Sequence, residues 1–370
     1  MKNVWIVSDC IVSPLGCTTH ENYENILHDK SGIVKIEPGS FSNTSFYASC
    51  ISDLSGSADS SRFETIAIEA GRTAIGTYNP DQERTIFILS TTKGNVEFLS
   101  SSPVHPRLSL HASARHIAGK LALSQSLVVS NACISGVLAL ITGMRILRSG
   151  KFDHALIVGA EVLSPFIIAG FQSLQALSAQ PCKPFDKNRS GITLGEGAGA
   201  ILLTTTPEAI KAHPVVRIVG GGLSNDANHI SGPSRTGKEL SIAIGQALKS
   251  ASLLPQDIDA IYAHGTATVF NDEMEAKAIA HSGLENIPVN SLKGYFGHTL
   301  GAAGVIETII AGQGLIRNEI PGTKGFSEPG VSSAVKINAK TISKKQENIL
   351  KTASGFGGCN AGLVLGKPEN

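Results

Sequence analysis

The hydrophobic positions of the chain fall into short runs that alternate with amphipathic stretches. The β-branched apolar run Leu127–Ser130 precedes a stretch whose apolar residues recur at roughly helical spacing as far as Leu147. Gly150 then provides a signal that ends a helix. The pattern therefore predicts a buried strand followed by a buried helix, with Cys133 in the turn between them.

The same alternation covers the rest of the N-terminal half. Helical spacing of apolar residues is found over Arg62–Ile75, and another helix is predicted over Leu108–Leu121. Strands that alternate with helices predict an α/β protein with a mostly parallel sheet covered by helices. The strands predicted in this half are Val4–Val12, Thr85–Ser90, Leu127–Ser130, Ala155–Val162 and Ala200–Thr204.

The pattern restarts near Val215, which suggests an internal repeat. The order of strand, polar turn and helix in Val128–Leu147 occurs again in Ile287–Ile316, although sequence identity between the halves is weak. We therefore predict two similar halves, residues 1–208 and residues 209–370. The strands predicted in the second half are Val215–Leu223, Ile258–Ala263, Ile287–Asn290, Asn348–Ser354 and Ala361–Leu365.

Length and composition limit the class of protein. The 370 residues are 42% hydrophobic, enough for a sizeable core. The formal net charge of +1 argues against a nucleic-acid surface built from bulk charge, and no apolar run reaches membrane-spanning length. The segment before Asp9 is too short for a signal peptide, and the six cysteines lack paired metal-type spacing. A cytoplasmic protein with free thiols is therefore expected.

Cys133 is the first candidate for chemistry because it lies between a strand and a helix. Backbone N–H groups at a helix N-terminus and the helix dipole favour a thiolate. A strand-to-helix turn also directs a side chain into a cavity, as nucleophile elbows do. The alternative is a structural buried cysteine, which is the usual role of a lone cysteine.

Further candidates follow other predicted strands. His264 closes one strand, Lys293 and His298 follow the next, and Phe356 lies in a glycine-rich loop between the last two. Ligands of parallel α/β sheets gather at the carboxyl ends of the strands. We therefore expect these residues to converge on Cys133 in one site.

Each of these residues has a simpler explanation when taken alone. Either histidine could be a core or surface residue with ordinary partners, Lys293 a solvated loop lysine, and Gly355–Gly358 only a hairpin turn. Glu196, which lies among glycines, is expected to be the carboxylate of a structural ion pair. The joint occurrence of the other candidates at one sheet end favours a functional site.

The set of motifs resembles that of the elongating β-ketoacyl-ACP synthases, in the same order along the chain. The resemblance implies the thiolase fold, in which two βαβαβαββ halves form an αβαβα sandwich, usually as a homodimer. A heterodimer with a related subunit is the other assembly to consider. The matching segments are Asn131–Gly136, Pro184–Gly199, His264–Thr268, Asn271, Asp272, Lys293, Gly297, His298, Gly355–Gly358 and Asn360.

The resemblance also implies a two-stage reaction on substrates carried by the phosphopantetheine arm of acyl carrier protein (ACP). Cys133 accepts an acyl chain from acyl-ACP as a thioester. Malonyl-ACP then loses carbon dioxide, and the resulting carbanion attacks that thioester to give a longer β-ketoacyl-ACP. Neither a metal nor a cofactor is required, and the pathway is fatty-acid or polyketide and polyene biosynthesis.

The residues expected to carry this chemistry come from the matched motifs. The backbone N–H groups of Cys133 and Phe356 match an oxyanion hole. Neutral imidazoles of His264 and His298 match donors to the enolate that forms on decarboxylation. Lys293 matches a family lysine that is thought to orient His298 and to hold the local charge balance.

The resemblance assigns supporting roles around this centre. Thr266 and Thr268 match residues that contact the pantetheine arm. Phe356 also matches a gating side chain between the acyl pocket and the malonyl site. Glu307, near the family lysine, and Asn360 are expected to be structural residues close to the site.

Two departures from the family pattern leave questions open. Only 39 positions separate Gly94 from Cys133, so part of the usual cap is missing, and the segment after Gly94 and Phe166–Leu177 are predicted to line or cover an altered acyl pocket. Cys359 stands where the family usually has threonine, and degradative thiolases use a second cysteine. The alternatives to a synthase are a non-catalytic partner resembling chain-length factors and a CoA-dependent thiolase.

Overall fold

The computed structural model describes residues 2–39, 41–52, 56, 59–76, 78–211 and 216–368. The predicted strand start at Val215 lies outside these residues, and the strand is described from Val216 onward. Within the described ranges, no helix combines the length and the hydropathy that crossing a membrane requires.

The described residues form strands and helices that follow the predicted alternation. The strands are β1 Val4–Val12, β2 Ile33–Ile36, β3 Phe46–Ser49, β4 Thr85–Ser90, β5 Gln125–Val129, β6 His154–Glu161, β7 Leu194–Gly195, β8 Gly197–Thr204, β9 Val216–Asn225, β10 Ala260–Tyr262, β11 Pro288–Asn290, β12 Glu319–Ile320, β13 Lys336–Ile337, β14 Ile342–Ser343, β15 Asn348–Gly355 and β16 Cys359–Gly366. The helices are α1 Thr19–Leu27, α2 Arg62–Ile75, α3 Leu110–Lys120, α4 Ser135–Arg148, α5 Pro165–Ser173, α6 Lys238–Ala251, α7 Val269–His281, α8 Lys293–Phe296 and α9 Leu300–Arg317.

The two halves of the chain have the same strand order. In the described residues the main sheet runs β13-β11-β10-β15-β16-β9-β1-β8-β6-β4-β5. If the five main-sheet strands of each half are numbered 1 to 5 along the chain, their order from the outer edge of the sheet to its centre is 3-2-4-5-1 in both halves. Strand β13 is an addition at the outer edge of the second half. The halves join where Val4–Ile6 of β1 pairs antiparallel with β9. This order confirms two similar βαβαβαββ halves. The predicted boundary between residues 208 and 209 lies in the connection from β8 to β9 and stays a prediction.

The sheet is mixed, so the expectation of a mostly parallel sheet is wrong in part. Strands β4, β5 and β6 are parallel, as are β10, β11 and β15. The inner strands β8 and β16 run antiparallel to their neighbours. The physical reason is that no helix packed on the main sheet connects the final two strands of either half: β16 follows β15 directly, and α5, between β6 and β8, packs in a separate cluster. Parallel neighbours need such a crossover connection.

Five layers result from the way the helices cover this sheet. Helices α2 and α3 pack on the outer face of the first half-sheet, and α6 and α7 pack on the outer face of the second. Helices α4 and α9 lie between the half-sheets in the main core. A Cβ added at Gly136 would lie 2.7 Å from the Cα of Gly304, so only glycine permits this close approach of α4 to α9. That contact brings the residues at the start of both helices together.

Glu196 has the structural role that was expected from the sequence. Its buried carboxylate lies 3.2 Å from the guanidinium of Arg62. It also accepts hydrogen bonds from the backbone N–H groups of Ile51 and Leu163, both at 2.9 Å. These contacts satisfy the buried charge and join α2 to the loops around β8, which confirms the predicted ion pair.

Candidate active site

Cys133, His264 and His298 are brought together from the two halves of the chain. The Cys133 sulfur and one nitrogen from each imidazole lie within 4.8 Å of one another. The two imidazole rings meet edge to face, with their centroids 5.1 Å apart. These residues follow β5, β10 and β11, so the predicted convergence at strand ends is observed.

The turn that carries Cys133 is held by local hydrogen bonds. The Ser135 hydroxyl accepts a hydrogen bond from the Asn131 N–H at 2.7 Å and donates one to the Ala132 carbonyl at 2.6 Å. Ala132 has a φ of +44°, a left-handed conformation that costs a non-glycine residue energy. This strained strand-to-helix turn presents the half-buried Cys133 to the pocket.

Burial of the Cys133 sulfur works against the thiolate that its place before a helix favours. Burial raises the pKa of Cys133 to about 12, and the Lys293 charge opposes the change without overcoming it. Removing water from around a thiolate disfavours the charged form, whereas the Lys293 charge favours it.

His298 is held as a neutral hydrogen-bond donor. Its Nδ1 accepts a hydrogen bond from the Leu300 N–H at 3.2 Å, which places the proton of a neutral imidazole on Nε2. Nε2 has no hydrogen-bond partner among the residues that the structure describes, and His298 lines the pocket. Burial, followed by the charges of Lys293 and Lys351, holds the pKa of His298 well below its usual range.

His264 is fixed by groups on both sides of its backbone. Its N–H donates to Glu275 at 2.7 Å, and its carbonyl accepts from the Lys293 ammonium at 2.8 Å. The same ammonium lies 3.4 Å from the imidazole Nδ1, which therefore serves as an acceptor. Burial, followed by nearby charges with that of Lys293 first, holds the pKa of His264 well below its usual range.

Lys293 contacts His264, whereas the family resemblance indicated that it orients His298. The reason is that its ammonium points to the end of β10 and also pairs with the Glu307 carboxylate at 2.5 Å. Glu307 in turn lies 2.7 Å from Lys351 on β15. Lys351 was missed because it belongs to no motif. The sequence did hold one signal for it, because Lys351 lies in a strand that was predicted to be buried. A buried charge needs a partner of opposite charge, so this lysine could have been expected to join an ion pair.

The glycine loop after β15 lies against the nucleophile turn. A Cβ added at Gly355 would come within 3.1 Å of the Cys133 backbone nitrogen and 3.2 Å of the Ala132 Cβ. Asn360 holds the loop by donating to the Gly358 carbonyl at 3.0 Å and accepting from the Ser354 hydroxyl at 2.8 Å. The loop thus brings its backbone close to the Cys133 nitrogen, and the oxyanion hole of the Cys133 and Phe356 N–H groups stays a prediction.

Two side chains of this loop have different surroundings. The Phe356 ring is 40% exposed and stacks on Phe171 with centroids 6.1 Å apart. Cys359 is buried, with its sulfur 3.4 Å from the Phe356 carbonyl and 3.8 Å from that of Asn131. Burial raises the pKa of Cys359 to about 11.

The site opens into a pocket of about 410 Å³. Thr266 and Thr268 line it with hydroxyls 2.9 Å apart. The predicted segment Phe166–Leu177 contributes four residues to the pocket lining: Phe171, Leu174, Gln175 and Ala176. Phe166, at the start of the segment, is exposed. No described residue between Gly94 and Cys133 lines this pocket, and the expectation that the segment after Gly94 lines or covers the acyl pocket stays a prediction.

Comparison with known proteins identifies similar chains over most of this length. The family described as "Beta-ketoacyl synthase, N-terminal domain" matches residues 75–209, and "Beta-ketoacyl synthase, C-terminal domain" matches residues 215–327. The 3-oxoacyl-[acyl-carrier-protein] synthase 2 of Vibrio cholerae is 28% identical, and the match covers 98% of this chain and 99% of that protein.

Two further similarities are informative. The 3-oxoacyl-[acyl-carrier-protein] synthase 2 of Rhizobium meliloti is 34% identical over 253 residues, which are 64% of this chain and 59% of that protein. The solved ketosynthase (ApeO) in complex with its chain length factor (ApeC) from Xenorhabdus doucetiae superposes with a TM-score of 0.87 at 28% identity. That match covers 99% of this chain and 98% of the solved one.

Proposed function

The chain belongs to the β-ketoacyl synthase family and has its thiolase fold, and we propose that it is a 3-oxoacyl-ACP synthase that condenses an acyl group with malonyl-ACP. The observation that carries the proposal is the group of Cys133, His264 and His298, whose reactive atoms lie within 4.8 Å of one another beside a pocket. A non-catalytic partner would not need a nucleophile and two neutral donors in this arrangement.

The first stage transfers the acyl group to Cys133. The sulfur attacks the thioester carbonyl of acyl-ACP, the bond from that carbonyl to the carrier sulfur breaks, and the thiol proton passes to the carrier. The backbone N–H groups of Cys133 and Phe356 donate to the oxyanion of the tetrahedral intermediate. The Lys293 charge lowers the cost of forming the thiolate, opposing the burial that raises its pKa.

The second stage forms the new carbon–carbon bond. The bond between the malonyl α-carbon and its carboxylate breaks, carbon dioxide leaves, and the electron pair forms an enolate. His264 and His298 donate hydrogen bonds to the enolate oxygen, for which neutral imidazoles are suited. The α-carbon attacks the acyl carbonyl, Cys133 leaves as a thiolate and takes up a proton, and 3-oxoacyl-ACP is released.

The approach of ACP follows from the position of the pocket. Thr266 and Thr268 are proposed to contact the pantetheine arm, and Phe356 to gate passage between the acyl pocket and the malonyl site. Every step is carried by the substrates and the protein's own groups, so we propose no resident cofactor or metal.

The pathway we propose is a specialised polyketide or polyene route, because the segment after Gly94 is shorter than is usual in the family. A cytoplasmic location stays a prediction.

A homodimer is the proposed assembly. Strand β5 is an edge of the main sheet with unpaired backbone groups, and Leu127 and Val128 on it are half-buried in the single chain. The similar Xenorhabdus protein was solved with a chain length factor, so a heterodimer is the competing assembly. Native mass spectrometry of the chain expressed alone, and then with a related subunit, distinguishes the two.

The test of the function is to locate the acyl group. Incubation with acyl-ACP should add one acyl mass to the peptide that contains Cys133, and Cys133→Ala should abolish it. Cys17→Ala changes an exposed thiol and serves as the matched control. An adduct on Cys359 or Cys182 contradicts the assignment. Acetyl-CoA exchange without carbon dioxide release from malonyl-ACP would instead support a thiolase.

A further inference from the structure

Lys351 is a buried charge that the proposed reaction does not use. Its side chain has no exposure to solvent, and its ammonium lies 2.7 Å from the Glu307 carboxylate. The ammonium also donates to the carbonyls of Tyr262, Ala263 and Thr352, at 3.2, 3.4 and 2.6 Å. A fully buried lysine is rare because its desolvation is costly, so this set of contacts requires a reason.

The position of Lys351 follows from the register of the sheet. Strand β15 pairs parallel with β10, and Lys351 stands opposite Tyr262 at the last position of β10. His264 follows Tyr262 by two residues. The ammonium therefore caps the carbonyls of both residues that lead into His264, while Lys293 takes the carbonyl of His264 itself at 2.8 Å.

Glu307 links the two lysines. One carboxylate oxygen pairs with Lys293 at 2.5 Å and the other with Lys351 at 2.7 Å. Burial lowers the pKa of Lys351, and the Glu307 charge opposes that change. Loss of Lys351 would leave Glu307 with one cation and would free two carbonyls in the backbone that carries His264.

We propose that Lys351 is a positioning residue for His264, which it holds through the backbone of β10 and through the carboxylate it shares with Lys293. This inference rests on the proposed decarboxylative condensation, in which His264 is a neutral donor to the enolate. Lys351 touches neither substrate nor reacting atoms in this scheme. Its effect is to fix the direction of the imidazole and to add a second cation behind it.

The charge around His264 sets the expected pH dependence. Removing one nearby cation makes protonation of the imidazole easier, and a protonated His264 would carry a positive charge next to Lys293. The Lys351 charge is one of those that lower the pKa of His264, after burial and the charges of Lys293 and His298. The titratable and charged groups that face His264 are Cys133, Glu275, Lys293, His298, Glu307 and Lys351.

The experiment compares Lys351→Met with Lys351→Arg in the full-length protein. We expect Lys351→Met to release carbon dioxide from malonyl-ACP about ten to a hundred times more slowly at neutral pH, since small misplacements of a donor have effects of this size. The acidic limb of its rate profile should move up by about one pH unit. Lys351→Arg should restore the position of that limb. Lys345→Met removes an exposed lysine and is the matched control.

An independent readout separates this inference from the proposed function. NMR of ¹⁵N-histidine protein, with the His264 signal assigned through His264→Asn, should show a raised imidazole pKa in Lys351→Met even if malonyl-ACP is not the substrate. A wild-type protein that does not decarboxylate malonyl-ACP overturns the proposed function. The inference about Lys351 is overturned if Lys351→Met is active and neither the acidic limb of its rate profile nor the His264 titration moves. It is also overturned if Lys351→Met and Lys351→Arg lose the same decarboxylation activity and neither shows a pH shift.

A second variant covers the case in which Lys351→Met does not fold. Glu307→Gln keeps both lysines and removes the carboxylate between them, so the positive charge behind His264 rises. The acidic limb and the His264 titration should then move to lower pH, opposite to the direction expected for Lys351→Met. Movement to higher pH, or none, contradicts the proposed charge arrangement.

Discussion

Replacing His298 with alanine should separate the two stages of the reaction. The Nε2–H of His298 has no partner among the described residues and faces the pocket, whereas its Nδ1 is occupied by the Leu300 N–H. His298→Ala therefore removes a free donor that the enolate would use. The nucleophile turn, held by Ser135, and the loop at Gly355 lie on other elements and keep their own contacts.

The expected magnitude follows from the number of donors lost. Loss of one preorganised donor to a developing oxyanion costs about 10²–10³ in rate, or roughly 2.7–4 kcal/mol. Acylation of Cys133 is proposed to use the N–H groups of Cys133 and Phe356 instead. We therefore expect decarboxylation in His298→Ala to fall by about 10²–10³ and acylation by less than about tenfold.

The assay measures both stages on the same preparation. Acylation is followed by intact mass after mixing with acyl-ACP, and decarboxylation by release of labelled carbon dioxide from malonyl-ACP. His111→Ala, at an exposed position on α3, is the matched control and should affect neither stage. Thermal unfolding checks that the buried site still folds. Equal losses in both stages, with unchanged unfolding temperature, would refute the assignment of His298 to the enolate.

Two further predictions use other parts of the structure. Phe171→Ala removes the ring that stacks on Phe356 and lines the pocket, so it should change the preferred acyl length by about 1–3 kcal/mol per methylene in competition between acyl-ACPs. Phe166→Ala, at an exposed position, is the control. An unchanged length profile would show that Phe171 does not line the acyl pocket. Burial raises the pKa of Asp9 from 3.8 to about 6, so the folded protein loses stability as Asp9 ionises with pH rising through about 6. Asp9→Asn cannot ionise and can still accept the hydrogen bond from Thr19. Its free energy of unfolding, measured with denaturant, should therefore exceed that of the wild type by roughly 1–3 kcal/mol more at pH 8 than at pH 4. The same difference from the wild type at both pH values would contradict this prediction.

The sequence by itself determined most of the elements and the order of the fold. Strands Val4–Val12 and Thr85–Ser90 and helix Arg62–Ile75 have the predicted bounds. Their apolar spacing is a short-range property that each segment carries alone. The restart of the pattern was enough to predict two halves, and both have the same strand order. The mixed direction of the sheet was not predicted, because direction depends on how connections cross in space.

The convergence of the two histidines was also predictable from the sequence. Cys133, His264 and His298 all follow strands, and the carboxyl ends of β10 and β11, which are parallel, bring the two histidines to one edge. Strand β5 belongs to the other half and runs antiparallel to β10, so that rule does not place Cys133 beside them. The close approach of α4 to α9 at Gly136 and Gly304 brings Cys133 within 4.8 Å of the histidines, and this contact is a property of the tertiary structure.

Only the tertiary structure decided the charges and partners within the site. Burial raises the pKa of Cys133, Lys293 lies against His264, and Lys351 pairs with Glu307 because of the register of β15 with β10. Desolvation and Coulomb interactions are sums over every neighbour in space. Those neighbours come from segments far apart in the chain, so no local pattern in the sequence contains them.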